Sequence, residues 1–170
     1  MQVGCVIVDW SEVAARDNAG TLEDDIAEAL DAEEEWIKDP PSWTNDSAMC
    51  YMSASYICDA LRNHIVPQWE AAFDRSLGML FCAAERPIND SDAHLEEWFF
   101  ALNPERVEAL RTEFAAFDFQ QLAVTYESHC PEDEKNILEN YEEFREYIRQ
   151  WEDVFQEAAE NHWGIMFHLG

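Results

Sequence analysis

Carboxylates are the chemistry-bearing groups that dominate this chain. It carries 37 Asp and Glu residues against 10 Lys and Arg, which gives a formal net charge of −27. With so many carboxylates, an acid–base pair can be found almost anywhere, so spacing alone assigns no catalytic dyad. Collectively they attract basic proteins and repel nucleic-acid phosphates and anionic lipid. We therefore predict a basic protein partner, and no direct binding to nucleic acid or to a membrane.

The negative charge is concentrated in residues 21–46, which hold ten acids and one lysine, a net charge of −9. We predict that this segment forms the partner-binding surface, with two tryptophans as anchors, because interface hot spots favour Trp within a charged rim. The predicted partner-binding residues are Glu23, Asp24, Asp25, Glu28, Asp31, Glu33, Glu34, Glu35, Trp36 and Trp43. The alternatives are that the acids only maintain solubility and that the tryptophans are buried.

The remaining reactive side chains form no recognisable site. The five cysteines are scattered and include no Cys-x-x-Cys pair, which argues against a disulfide framework. His129 and Cys130 come closest to paired zinc ligands, but the sequence shows no second pair. His94, four residues before Trp98, is interpreted as a partly exposed histidine over an aromatic edge. We predict no catalytic residues, no metal site and no cofactor.

Composition indicates a folded protein. Hydrophobic residues make up 48% of the chain and aromatic residues 13%, far more than a disordered acidic tail contains. A length of 170 residues favours one domain. No apolar run is long enough to span a bilayer, and the first five residues lack the basic start of a secretory signal. We therefore expect a cytoplasmic protein.

Hydrophobic spacing predicts a mainly helical chain with a strand near each end. Apolar and β-branched residues predict strands at residues 1–9 and 165–169. The predicted helices are residues 10–18, residues 22–37 capped by Thr21, a core helix from Asp46 or Ser47 to about Asn63-His64, and residues 68–75, 94–102, 104–117, 118–126 and 132–161. Residues 77–84 fit either a strand or a helix.

Two of these helices carry the strongest signals. Asn103-Pro104-Glu105 predicts a helix start, since Asn caps the first backbone donors and Pro has no amide hydrogen to leave unpaired. Between Ile137 and Ala158, apolar residues recur at alternating spacings of four and three, which is typical of one long amphipathic helix. We expect Gly164 to end that helix as a left-handed cap.

Residues 102–110 (LNPERVEAL), 117–122 (FDFQQL) and 164–170 (GIMFHLG) together resemble the YfbM-like bacterial family of unknown function. In that family a helix opened by a Pro-Glu pair precedes a last long amphipathic helix, which residues 141–159 resemble here. The resemblance covers residues 102–170. It implies an α+β fold with a small sheet and surrounding helices, and it implies no established activity or catalytic residues.

We predict one mainly helical α+β domain over residues 1–170, in which the first and last segments pair as neighbouring strands of a small sheet under a layer of amphipathic helices. The alternative is an all-α bundle. The predicted function is that of a non-enzymatic acidic protein that neutralises a basic partner, as a toxin-immunity inhibitor does. A DNA mimic that fills the cleft of a nucleic-acid-binding protein is a second possibility. An enzymatic YfbM-like domain is a third, and it would need a pocket that holds perturbed titrating groups.

Overall fold

The computed structural model describes residues 2–29, 42–53, 62–75, 91–95, 99–129 and 141–169. Its strands are β1 (Gln2–Val8), β2 (Thr44–Ser53), β3 (Phe99–Leu102) and β4 (Gly164–Leu169). Its helices are α1 (Trp10–Ala19), α2 (Leu22–Ala29), α3 (Glu70–Arg75, preceded by a 3-10 turn at Pro67–Trp69), α4 (Pro104–Phe114), α5 (Phe119–His129) and α6 (Tyr141–Asn161). The chain is therefore α+β and mainly helical, as predicted.

The described strands form one antiparallel sheet in the order β2-β1-β4-β3. β1 and β4 are the two central strands, paired from Val3 opposite Leu169 to Val8 opposite Gly164. The first and last segments are thus neighbours in the sheet, which confirms that prediction. The all-α alternative is wrong.

Both faces of the sheet are covered, because successive side chains along a strand point to opposite sides. In β1, Cys5 and Ile7 join a main core cluster that includes buried residues of α4, α5 and α6. Val6 and Val8 join a second core cluster that includes buried residues of α1 and α2. The prediction of a single helical layer is therefore incomplete, since helices contribute to the packing on both sides of the sheet.

The segment predicted as a core helix after Asp46 is instead β2. It pairs with β1, and its Cys50 lies opposite Cys5 while Met52 lies opposite Val3. In the continuation of that predicted helix, residues 54–61 lie outside the described residues. A short apolar run fits a helix or a buried strand equally well, and pairing with β1 decides between them.

The helix predicted at residues 94–102 is also wrong where the structure describes it, because Phe99–Leu102 is β3. Phe100 and Leu102 pack in the main core cluster, whereas Ala101 packs in the second core cluster. A strand buried on both faces is apolar at consecutive positions, so it lacks the alternation that identifies a half-buried strand. Its outer edge is occupied by the preceding segment: Asp92 N–H donates to the Ala101 carbonyl at 2.8 Å.

The two strongest helix signals are confirmed where the structure describes them, and residues 132–140 of the predicted last helix lie outside the described residues. The Asn103 side chain caps α4 by accepting a hydrogen bond from the Arg106 N–H at 2.9 Å. In α6, Trp151, Phe155 and Ala158 are wholly buried. Both signals predict helices reliably because each depends on residues that are close in sequence. The Asn103 side chain bonds a backbone N–H three residues later, and the apolar residues of α6 recur every three or four positions.

The end of α6 differs from the prediction. The left-handed residue is His162, with φ 55°, and not Gly164. The His162 N–H donates to the Ala159 carbonyl, and the Trp163 N–H donates to the Ala158 carbonyl at 2.9 Å, which closes the last turn. Histidine tolerates this backbone conformation better than most residues with a side chain.

Gly164 is needed for close packing rather than as a cap. A Cβ at this position would lie 2.6 Å from Trp10 Cε3 and 2.7 Å from the Leu102 carbonyl oxygen. Both contacts are shorter than van der Waals distance, so α1 and β3 can approach β4 this closely only beside a glycine.

Candidate acidic binding surface

The predicted binding surface begins at a tight corner between α1 and α2. Gly20 ends α1 with φ 69°, its N–H donates to the Asp17 carbonyl, and the next N–H, from Thr21, donates to the Arg16 carbonyl. The Thr21 carbonyl then accepts the first helical bond of α2, from the Asp25 N–H at 2.9 Å. Two residues therefore end one helix and start the next, since Gly tolerates a positive φ. The Thr21 hydroxyl, predicted to cap the helix, instead donates to Asp25 Oδ2 at 3.1 Å.

Arg16 is the cation at this corner. Its Nε lies 3.1 Å from Asp25 Oδ2, and it forms a second ion pair with Glu12, one turn earlier in α1. Its guanidinium carbon lies 5.5 Å from the centroid of the Trp43 ring, a cation–π distance. The Glu12 spacing is visible in the sequence, but the contacts with Asp25 and Trp43 depend on the fold and leave no local sequence signal.

Trp43 is 8% exposed and packs in the second core cluster. Arg16 lies over the Trp43 ring. The Trp43 carbonyl accepts a hydrogen bond from the Asp9 N–H at 2.9 Å. Burial, the alternative given for this tryptophan, therefore describes the structure. The candidate partner-binding surface therefore consists of carboxylates.

Glu23 and Asp24 are exposed in the first turn of α2. Neither forms a hydrogen bond or an ion pair with any residue that the structure describes. Their position also has a structural effect, because the positive end of the helix dipole stabilises a carboxylate in a first turn. Among the predicted residues whose side chains are described, these two present negative charge that no neighbouring cation offsets.

The structure does not decide the other predicted positions. Asp31, Glu33, Glu34, Glu35 and Trp36 lie outside the described residues, and Glu28 is placed only as part of α2. Exposed acids also occur on the other α-helices, at Glu12, Glu70, Asp74, Glu105, Glu108, Glu127, Glu146, Asp153 and Glu160. Acidity therefore extends over much of the described surface and is not confined to α2.

Arginines elsewhere pair with the chain's own acids. The described pairs are Arg106 with Asp92, Arg111 with Glu108, and Arg149 with Glu146. The hydrogen bond from Arg111 holds the pKa of the Glu108 carboxyl below its usual value, and the same bond raises the pKa of the Arg111 guanidinium. These pairs leave a described surface whose remaining charge is negative.

His94 has an acidic partner that the sequence did not reveal. Asp17 Oδ1 accepts a hydrogen bond from the His94 backbone N–H at 2.9 Å and lies 3.0 Å from the ring Nδ1. Nδ1 is therefore placed to donate a hydrogen bond to this carboxylate. The ring is 97% exposed, more than the partial exposure predicted, and this differs from the enclosed setting of most ligand sites.

No relative of this chain was found among known proteins, and the described residues show neither a membrane-spanning helix nor a metal-binding cluster. Among the described helices none is long and apolar enough to cross a membrane. The described residues also hold no group of three or more His, Cys, Asp or Glu side chains placed to bind a metal ion. The resemblance to the YfbM-like family stays a prediction, because comparison of the chain with family models, curated proteins and solved structures found no match.

Proposed function

We propose that this protein is a non-enzymatic acidic inhibitor that binds a basic protein, in the manner of a cytoplasmic toxin-immunity protein. The observation that carries the proposal is the Glu23–Asp24 pair on α2, which is exposed and has no ion-pair partner among the described residues, in a chain whose net charge is −27. α2 is held against α1 by Arg16 and buries Leu22 and Ile26 in the second core cluster. The two carboxylates therefore project from a fixed element.

Long-range electrostatics gives such a surface a kinetic role. A unit charge about 10 Å from a partner's cation contributes about 0.4 kcal/mol in water at low salt, which changes the encounter rate about twofold. Two such charges change the encounter rate about fourfold, and a whole charged surface can accelerate association by 10- to 1,000-fold. Because the Debye length at 0.1 M salt is also about 10 Å, added salt removes most of this acceleration.

The first experiment identifies the partner. Tag-captured protein is incubated with extract of the source cells at low salt, and bound proteins are eluted with high salt and identified. The proposal expects a basic protein whose activity falls when the complex forms. If DNA competes for the captured protein's binding site, nucleic-acid mimicry describes the function better.

The second experiment tests the surface with a charge-matched control. Glu23→Gln/Asp24→Asn removes two charges from α2, and Glu127→Gln/Glu160→Gln removes two charges from α5 and α6. We expect the first variant to slow association with the purified partner about fourfold at low salt, and the second to change it little. Equal slowing by both variants would show that net charge, and not the α2 surface, drives the encounter. An association rate that ignores ionic strength would overturn the proposal.

A further inference from the structure

Two exposed histidines from distant parts of the chain lie face to face. The ring centroids of His64 and His129 are 3.5 Å apart, and the ring planes differ by 8°. His64 belongs to the segment before the Pro67–Trp69 turn, and His129 is the last residue of α5. The sequence shows no partner for His129, because the fold brings His64 near it.

Buried neighbours fix the two backbones that carry these rings. Ile65, next to His64, packs against the main core cluster, as does Trp69. α5 buries Leu122 and Ala123 in the same cluster. The two imidazoles are therefore held near each other by packing on both sides, while their own exposure leaves the side-chain torsions able to turn.

We propose that His64 and His129 bind one divalent transition-metal ion of the class that prefers imidazole, such as Zn²⁺ or Ni²⁺. The ring centroids lie 3.5 Å apart. Rotation of the two side chains can therefore bring one nitrogen of each ring to the separation of about 3.4 Å that two ligands of a tetrahedral ion require at about 2.1 Å each. The rings must turn out of their parallel arrangement so that both lone pairs point at the ion. Water completes the coordination, since no third His, Cys, Asp or Glu joins the pair among the described residues.

The surroundings favour a cation at this position. His129 ends α5, and the negative end of the helix dipole lies there. The net charge of −27 raises the local concentration of divalent ions as well. The same charge creates the main competing interaction, because carboxylates bind hard divalent ions weakly and without preference for imidazole.

The experiment is a calorimetric titration of the tag-free protein with Ni²⁺ in a Mg²⁺-containing buffer, which saturates the carboxylates. The expected result is one bound Ni²⁺ per chain. His64→Gln and His129→Gln should each weaken Ni²⁺ binding at least about tenfold. Even substitution of a residue that only hydrogen-bonds to a metal ligand lowers metal affinity 10- to 100-fold. The exposed histidines His94 and His162 serve as matched controls, and their Gln variants should bind as the wild type does.

Three results would overturn the proposal. They are an absence of Ni²⁺ binding above the Mg²⁺-saturated background, equal weakening in all four histidine variants, and loss of binding on Cys130→Ser with retention in His64→Gln. Circular dichroism of each variant checks that the fold is intact. With Cu²⁺ as the probe, electron paramagnetic resonance counts the nitrogen ligands, and two are expected in the wild type.

Discussion

The acids at opposite ends of helices provide a test of how surface charge acts on stability. Glu23 and Asp24 lie in the first turn of α2, where the positive end of the helix dipole stabilises them. Glu127 and Glu160 lie in the last turns of α5 and α6, where the negative end repels them. All four side chains are exposed. Neutralising either pair removes two units from the charge of −27, so general self-repulsion falls about equally in both variants.

The sign of the helix-dipole contribution is the main difference between the two variants, and the attraction between Glu160 and Arg111 offsets part of the gain in the second. Each contribution is about 0.3–1 kcal/mol at low salt. Glu23→Gln/Asp24→Asn should lower the free energy of unfolding by about 1 kcal/mol, and Glu127→Gln/Glu160→Gln should raise it by about 1 kcal/mol. Glu160 accepts a hydrogen bond from Gln156 at 2.8 Å, and glutamine keeps an oxygen that can accept it. The relief of self-repulsion adds a similar increment to both values, so the difference of about 2 kcal/mol remains.

Urea denaturation is the suitable assay, because guanidinium chloride is itself a salt and screens the effect. The two variants and the wild type are compared at low ionic strength and again at about 1 M NaCl, where the Debye length falls to about 3 Å. The difference between the variants should shrink at high salt. Shifts of the same sign and size in both variants would show that net charge governs stability and would refute the argument from helix ends.

Other predictions concern single positions in the backbone and one ion pair. Gly164→Ala should lower the free energy of unfolding by about 1–3 kcal/mol in urea denaturation, because the new methyl group meets a backbone carbonyl. At Gly20 the new methyl group would have open space. Gly20→Ala should therefore lower the free energy of unfolding by only about 1 kcal/mol, because alanine disfavours the left-handed φ. His162→Gly should raise the free energy of unfolding by about 1 kcal/mol for the same reason, and an unchanged value would contradict that assignment. By NMR titration, the pKa of Glu108 should lie below the usual glutamate value and rise in Arg111→Gln. Because folding depresses this pKa, the pair's stabilising contribution is present above the unfolded pKa and is lost as pH falls through the folded pKa.

Local sequence signals predicted the elements whose stability is itself local. The Asn103 cap and the apolar stripe of α6 act within a few residues of each other, and both appear in the structure where the sequence placed them. The pairing of the first and last strands was also predicted, from two short apolar segments at the chain ends. A small sheet gives such segments few other partners, which is why this long-range prediction succeeded.

The failures share one cause, which is dependence on a partner distant in sequence. β2 and β3 are strands because β1 and β4 supply their hydrogen bonds, and neither segment alternates between apolar and polar residues. Gly164 is predicted as the left-handed residue after α6 because glycine is the usual choice, whereas the structure pairs it with Val8 in β4, where a Cβ would meet Trp10 and Leu102. The stacking of His64 on His129 depends on the fold in the same way.

The internal ion pairs distinguish the carboxylates that hold the fold together from those that the proposed partner could reach. Arg16 joins α1 to α2, and Arg106 reaches Asp92, which also accepts a hydrogen bond from the Asn103 N–H at 2.8 Å. These arginines hold elements together, so a cationic partner would have to displace them to reach their carboxylates. Glu23 is bound by no described cation and is open to a partner without that cost. Loss of Arg16 should therefore loosen the α1–α2 corner, whereas loss of Glu23 should weaken partner capture while the corner stays intact.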